Sequence, residues 1–233
     1  RLINSTMFNN KPILAIETSQ NLCSICVYYS DSKLFEMNFK LKNAHAEKLF
    51  ESIEHVMNSA GIGIVDVGAI SVSAGPGSFT GLRIGMSAAK GLAFGASIPI
   101  IPVPTFEALS LQVSNYLPDN VEFIIANKVN VEEVYFAKFK KNGNGYEYIE
   151  DLQVLKRNEI DIRTEDILIF GNALLDSGNS LNQKSRYRNI SSPDAEYIAK
   201  WSILFGKQKV LYDYEYLEPT YIKNFIVKER KNV

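Results

Sequence analysis

Gly75-Pro76-Gly77-Ser78-Phe79-Thr80-Gly81-Leu82-Arg83-Ile84-Gly85 issues directly from the apolar stretch Ala69-Ile70-Ser71-Val72-Ser73, and its reading decides the fold. The pattern predicts a strand, a tight turn and a helix. Gly75 and Gly77 admit backbone angles that residues with a Cβ avoid, Pro76 fixes φ, and Ser78 or Thr80 can cap the helix that follows. Such a turn can aim backbone N-H groups at an anion. It can equally be a plain strand-to-helix connection, because the Gly-Lys-Ser/Thr ending of a Walker loop is absent.

On the N-terminal side, Pro12 to Ile16 predicts a short apolar strand, and Glu17-Thr18-Ser19-Gln20-Asn21 a polar turn into a second strand around Leu22-Cys23-Ser24-Ile25-Cys26-Val27-Tyr28-Tyr29. Lys33 to Leu41 alternates as a third strand with Phe35, Met37 and Phe39 toward a core. From about Ala44 the apolar positions Leu49, Phe50, Ile53, Val56, Met57 and Ala60 fall on one helical face, closed by Gly61 and Gly63. A helix runs from the glycine turn to Phe94 or Gly95, and Ile98 to Val103 is the next strand. This order indicates an α/β lobe.

After Pro104 a second unit begins. Thr105 reads as the N-cap of a helix ending near Pro118. Val121 to Ala126 and Glu133 to Lys140 are strands, and Lys141-Asn142-Gly143-Asn144-Gly145 is a turn before Tyr146 to Ile149. Asp166 to Phe170 is a further strand, Leu175 to Ser192 a polar surface excursion, and Pro193 to Phe205 a helix. The expected division is 7–104 and 105–233, with the final segment free to pack back on the first lobe. Residues 1–6 read as an added or unstructured extension before Met7.

The helix after the glycine turn contains Gly81, Gly85, Gly91 and Gly95 together with Ser87, Ala88, Ala89 and Ala93. An interior glycine costs a helix about 1 kcal/mol relative to alanine. Close approach of another backbone offsets that cost, and the sets 81/85/88 and 87/91/95 each make a small-residue face. One face is expected to pack within the chain and the other to receive a partner helix.

Bulk composition narrows the function classes. The 25 basic and 26 acidic residues leave a net charge of −1, too little for strong unaided binding to nucleic acid or an anionic membrane. No stretch approaches the ~20 apolar residues of a membrane span, and the N-terminus lacks a signal peptide's pattern, so a cytoplasmic location is expected. Cys23 and Cys26 have the spacing of a redox pair or half a zinc site, but three residues apart on a strand they point to opposite faces. Buried reduced thiols are expected. His45 and His55 lie ten residues apart, roughly 80° around a helix, so one metal is not easily held by both. His45 reads as a capping or surface residue and His55 as a solvated or half-buried one.

Ile13-Leu14-Ala15-Ile16-Glu17-Thr18-Ser19, Asn43-Ala44-His45-Ala46-Glu47-Lys48-Leu49, Gly75 to Gly85, Pro104-Thr105-Phe106-Glu107-Ala108-Leu109 and Glu218-Pro219-Thr220-Tyr221-Ile222-Lys223 resemble, in order and spacing, the TsaB (YeaZ) family. The resemblance implies an actin-like (ASKHA, RNase H-like) α/β fold of two related lobes, each a mixed sheet with packed helices. It implies a place in the bacterial machinery that makes N6-threonylcarbamoyladenosine (t6A) at position 37 of tRNA. In that family the protein is a non-catalytic partner of its paralogue TsaD, which transfers the group from threonylcarbamoyl-adenylate. The ATPase TsaE joins them, and tRNA is met only through the complex.

By that resemblance the helices at 44–60 and 80–95 form a four-helix contact with TsaD, or with a second copy when TsaD is missing. Leu49, Phe50, Ile53, Leu82, Met86 and Ala89 are the candidate contacts. Arg83, one turn inside the second helix, can salt-bridge across a helix interface or to Glu47, or stand solvated. No catalytic residue and no metal ligand is assigned. Glu17, Thr18 and Ser19 occupy the place of the first phosphate-facing hairpin of actin-like ATPases, and with Gly75, Gly77 and Ser78 they are the candidate phosphate contacts. ATP or ADP at the partner interface is the cofactor candidate. Gly171-Asn172-Ala173 resembles the family's Gly-Asn-Gly turn but ends in alanine, and Ala126-Asn127-Lys128 stands where many relatives have Asp-Ala-Arg. The alternatives are a stand-alone actin-like nucleotide hydrolase or kinase, and a glycopeptidase-like enzyme. The latter lacks a metal quartet or a nucleophile constellation that two histidines in these settings could complete.

Overall fold

The strand-turn-helix reading of 69–96 holds. In the computed structural model, which describes residues 10–40, 45–160, 167–173 and 186–222, β4 (Ala69–Gly75) runs through the turn into α2 (Phe79–Ala96). Before it lie β1 (Ile13–Glu17), β2 (Leu22–Ser30), β3 (Lys33–Lys40) and α1 (His45–Ala60); after it come β5 (Ile100–Pro104) and α3 (Thr105–Ser114). The remaining elements are β6 (Glu122–Lys128), β7 (Glu133–Asn142), β8 (Gly145–Lys156), β9 (Leu168–Gly171), β10 (Arg186–Arg188) and α4 (Ala195–Phe205). The extension at 1–6, Leu41, Asn43 and Ala44, Asp166, most of the 175–192 excursion, Lys223 and the side chain of His45 lie outside the described residues.

The strands form two five-stranded sheets, ordered β3-β2-β1-β4-β5 and β10-β9-β6-β7-β8. Each is an antiparallel meander of three strands whose first strand also pairs in parallel with the fourth, and the fourth with the fifth. The two sheets therefore repeat one topology, the actin-like arrangement of two related mixed sheets expected from the sequence. A parallel pair needs a crossover, and α2 supplies it between β4 and β5. β10 lies inside the segment expected as a surface excursion. Arg186-Tyr187-Arg188 carries no apolar run, and as an edge strand it pairs only with β9.

Because side chains alternate along a strand, the first sheet has two buried faces. One, with Leu14, Ile16, Ile25, Val27, Ile70 and Val72, packs against α1 and α2. The other, with Ile13, Ala15, Ile101 and Val103, packs against Ala108 and Leu111 of α3 and Ile198, Ala199 and Trp201 of α4. Cys23 belongs to the first core and Cys26 to the second, both free, as the opposite-face argument required. Burial pushes the Cys23 thiol up to about 12 and Cys26 higher still, so both stay protonated and act as small apolar groups.

α3 sits between the sheets, since Phe106, Leu109 and Val113 fill the core under Phe123, Ile125 and Phe139. α4 follows the second sheet in the chain but packs on the first. Its leading amides are met from across that sheet: Ala195 N donates to Ser24 Oγ at 2.7 Å and Glu196 N to Glu36 Oε1 at 2.8 Å. Trp201 Nε1 donates to Glu107 Oε2 at 3.1 Å and Tyr146 OH at 2.9 Å, tying α4 to α3 and β8. Thr105 is not the N-cap of α3, because Pro104 holds that position and the Thr105 hydroxyl instead accepts the Gly75 amide at 3.2 Å. Among the described residues no helix is long and apolar enough to cross a membrane.

Candidate protein interface

The glycine turn is closed from within the chain. Ser78 caps α2 by accepting the Gly81 amide at 3.2 Å, while its own amide donates to the Ser19 carbonyl at 2.6 Å. Gly75 has φ +107, and the space its Cβ would take holds the Thr220 carbonyl. Gly81 and Gly85 let the β1–β2 turn lie directly on α2: a Cβ at Gly81 would collide with the Thr18 carbonyl, and one at Gly85 with Thr18 Oγ1. Thr18 Oγ1 donates to the Gly81 carbonyl at 2.8 Å. The 81/85/88 face is thus satisfied by a turn rather than by a helix.

Glu17, Thr18 and Ser19 are fully buried. Glu17 Oε1 accepts from the Ser19 amide and hydroxyl, both at 2.5 Å, and its Oε2 has no hydrogen bond. Loss of solvent pushes the Glu17 carboxyl up to about 7, against the opposing pull of the two Ser19 donors. Opposite this turn, Gly171 at φ +130 lies against the Ala126 carbonyl, and Asn172 donates through Nδ2 to Gln20 Oε1 at 3.2 Å. Asn172 Oδ1 also accepts the Lys128 amide at 2.7 Å. The two turns that face each other between the sheets hold each other. Of the candidate phosphate contacts, Glu17, Thr18 and Ser19 face inward, and Gly75 and Ser78 have their amides occupied. With Gly77 against Ser19, the set does not form an open seat for a nucleotide phosphate.

Open surface of a different kind lies between α1 and α2. A groove there is lined by Phe50, Phe79, Thr80, Arg83, Ile84 and Ser87. Phe50 is 56% exposed beside this groove. Five of the expected contacts do not reach this surface: Leu49, Ile53, Leu82, Met86 and Ala89 are buried in the chain's own core. An apolar helical stripe reads the same whether a sheet or a partner covers it, and here the first sheet does. Among the described residues Arg83 forms no ion pair with Glu47. Its guanidinium lies 3.8 Å over the Phe79 ring, and its Nε donates to Tyr221 OH at 3.1 Å. Phe79, Thr80 and Ile84 were missed, while Ser87 was read only as part of the 87/91/95 small-residue face, although positions 80, 83, 84 and 87 follow helical spacing on the side away from Leu82, Met86 and Ala89. His55 is exposed on α1.

Residues 40–154 match the family model described as TsaD: tRNA N6-adenosine threonylcarbamoyltransferase. The chain is 33% identical over 129 residues to the tRNA threonylcarbamoyladenosine biosynthesis protein TsaB of Haemophilus influenzae, covering 55% of this chain and 54% of that protein. It is 30% identical over 149 residues to that of Escherichia coli, covering 64% and 63%. These two matches span about half to just under two thirds of the relatives' lengths. The TsaB of Buchnera aphidicola from Acyrthosiphon pisum matches at 27% over 204 residues, covering 84% of this chain and 90% of that one. In three dimensions, YeaZ from Pseudomonas aeruginosa superposes with a TM-score of 0.75 at 20% identity over 91% of this chain and 99% of that chain. A second Pseudomonas aeruginosa structure, described as an uncharacterized protein with similarity to peptidase YEAZ, gives 0.77 at 20% identity over 91% and 100%.

Proposed function

We propose that this chain is a TsaB-type protein, the non-catalytic subunit of a tRNA N6-threonylcarbamoyladenosine synthesis complex, pairing with TsaD through α1 and α2. In this reading TsaD performs the transfer, TsaE joins the pair, tRNA is met through the complex, and a second copy of the chain occupies the groove when TsaD is absent. The observation that carries it is the groove between α1 and α2 with its apolar side chains Phe50, Phe79 and Ile84, beside an interlobe turn that is already filled. A hydrolase would need that turn open to phosphate, and the buried Glu17-Thr18-Ser19 argues against it.

The test pairs function with surface. Threonylcarbamoyl transfer to tRNA in a reconstituted mixture of TsaD, TsaE and the adenylate-forming enzyme should depend on adding this protein, which alone should not turn over ATP. Phe50→Glu should leave the circular dichroism spectrum unchanged and abolish co-elution with TsaD, because a charge would enter the middle of an apolar contact. Transfer without the protein overturns the role. Co-elution of Phe50→Glu as wild type overturns the surface.

A further inference from the structure

Residues 211–222 lie along the first sheet and α2. Leu211 exchanges two backbone hydrogen bonds with Ile100 on β5, each 2.9 Å, covering part of an edge strand. Tyr214 and Leu217 pack on the core beneath α1 and α2. Lys90 of α2 donates from Nζ to the Glu215 carbonyl at 2.9 Å, and the Thr220 amide donates to the Ala74 carbonyl at 2.7 Å. The Thr220 carbonyl fills the space beside Gly75. Tyr221 then places its ring 5.2 Å from that of Phe79 and its hydroxyl on Arg83 Nε.

Phe79 and Arg83 are the two groove-lining side chains that Tyr221 touches. An arginine on a helix surface has several rotamers, and fixing it on binding costs conformational entropy. Here the cost is met before a partner arrives, because Arg83 is held between the face of Phe79 and the Tyr221 hydroxyl.

We propose that residues 211–222 form a positioning strap whose Tyr221 fixes Phe79 and Arg83 in the wall of the α1–α2 groove, so that tight partner binding requires the strap to be seated. This rests on the reading that the groove receives TsaD. Tyr221 is a positioning residue, acting on the partner through Arg83 and Phe79.

The experiment is a calorimetric titration of TsaD with the intact protein and with Tyr221→Ala, Arg83→Ala and the double variant. Tyr221→Ala should weaken binding about fivefold, the scale of one lost stacking and cation–π contact. The double variant should lose clearly less than the sum of the two single losses, since part of the effect of Tyr221 passes through Arg83 and only the Phe79 part remains. Tyr221→Phe keeps the ring contact and should recover most of the affinity. If Tyr221→Ala lowers the melting temperature, Tyr221→Phe carries the test with an expected loss of about twofold. Wild-type affinity in both Tyr221 variants, or losses that simply add in the double variant, overturns the strap while leaving the groove standing. Failure of the wild-type chain to bind TsaD overturns the groove and the strap together.

Discussion

Two faces of α2 carry the same residue type at the same four-residue spacing and do different things. On the inner face, Gly81 and Gly85 lie where any side chain would meet Thr18. On the outer face, Gly91 and Gly95 have nothing within 4 Å of where a Cβ would sit. An interior glycine weakens a helix by about 1 kcal/mol wherever it falls, so the spacing does not tell the faces apart. What differs is the neighbour: a backbone carbonyl of the chain's own turn on one side, open surface on the other.

The largest break in this comparison is Gly81→Ala. The obstructing atom is a backbone carbonyl, which moves only if the whole β1–β2 turn moves, and the expected loss is about 3 kcal/mol by urea denaturation. A change within experimental error would show that the turn is not seated on the helix.

The next concerns the acid that anchors that turn. Glu17 titrates at about 7 in the folded chain against an ordinary 4.5, so the native state holds its proton across that window and the unfolded state does not. The stability Glu17 contributes is complete below about 4.5 and is lost as the pH rises through about 7. Between pH 5 and pH 8 this amounts to roughly 2 kcal/mol, at 1.4 kcal/mol per unit of pKa difference. Glu17→Gln keeps an acceptor for Ser19 and removes the titration, so its stability should vary less between those pH values by about that amount. Parallel pH profiles for variant and wild type would remove Glu17 from the account.

The smallest effect sharpens the outer face. Gly91→Ala adds a methyl where there is room and restores helix propensity, so the melting temperature should rise, by the equivalent of about 0.5–1 kcal/mol. A fall in stability would mean that the outer face is already occupied within the chain.

The order of elements through Phe205, β10 excepted, was legible because period-two and helical patterns are strong where one face is buried. Even the split of Cys23 and Cys26 between two cores follows from strand alternation alone. Strand β8 runs to Lys156 rather than Ile149, because as a sheet edge it absorbs Glu150 and Asp151 in a register shift against β7 and pairs again from Gln153. The groove was legible only as a pair of helices. Leu49 and Phe50 are adjacent in the sequence, yet one is buried and the other half open, since neighbouring helix residues point about 100° apart and only Leu49 falls on the core side. The strap was illegible: in the run 212–216 Tyr212 and Tyr216 are exposed while Tyr214 between them packs on the core, and three similar aromatic positions do not announce which one is inward. The Arg83–Tyr221 contact joins positions 138 residues apart, and no local pattern announces it.

The docking of α4 on the first sheet has a consequence for the order of events during synthesis. When residue 104 is made, all five strands of that sheet exist, but the apolar face of Ile13, Ala15, Cys26, Ile101 and Val103 has no cover. α3 follows at once and brings Ala108 and Leu111 onto part of it, but the helix that covers the rest, with Trp201 at its centre, is made about ninety residues later. At ribosomal speeds of roughly 5–20 residues per second that part of the face stays bare for several seconds or more. The first half of the chain therefore cannot finish folding on its own, and the emerging protein depends for that interval on whatever keeps apolar surfaces apart in the cell.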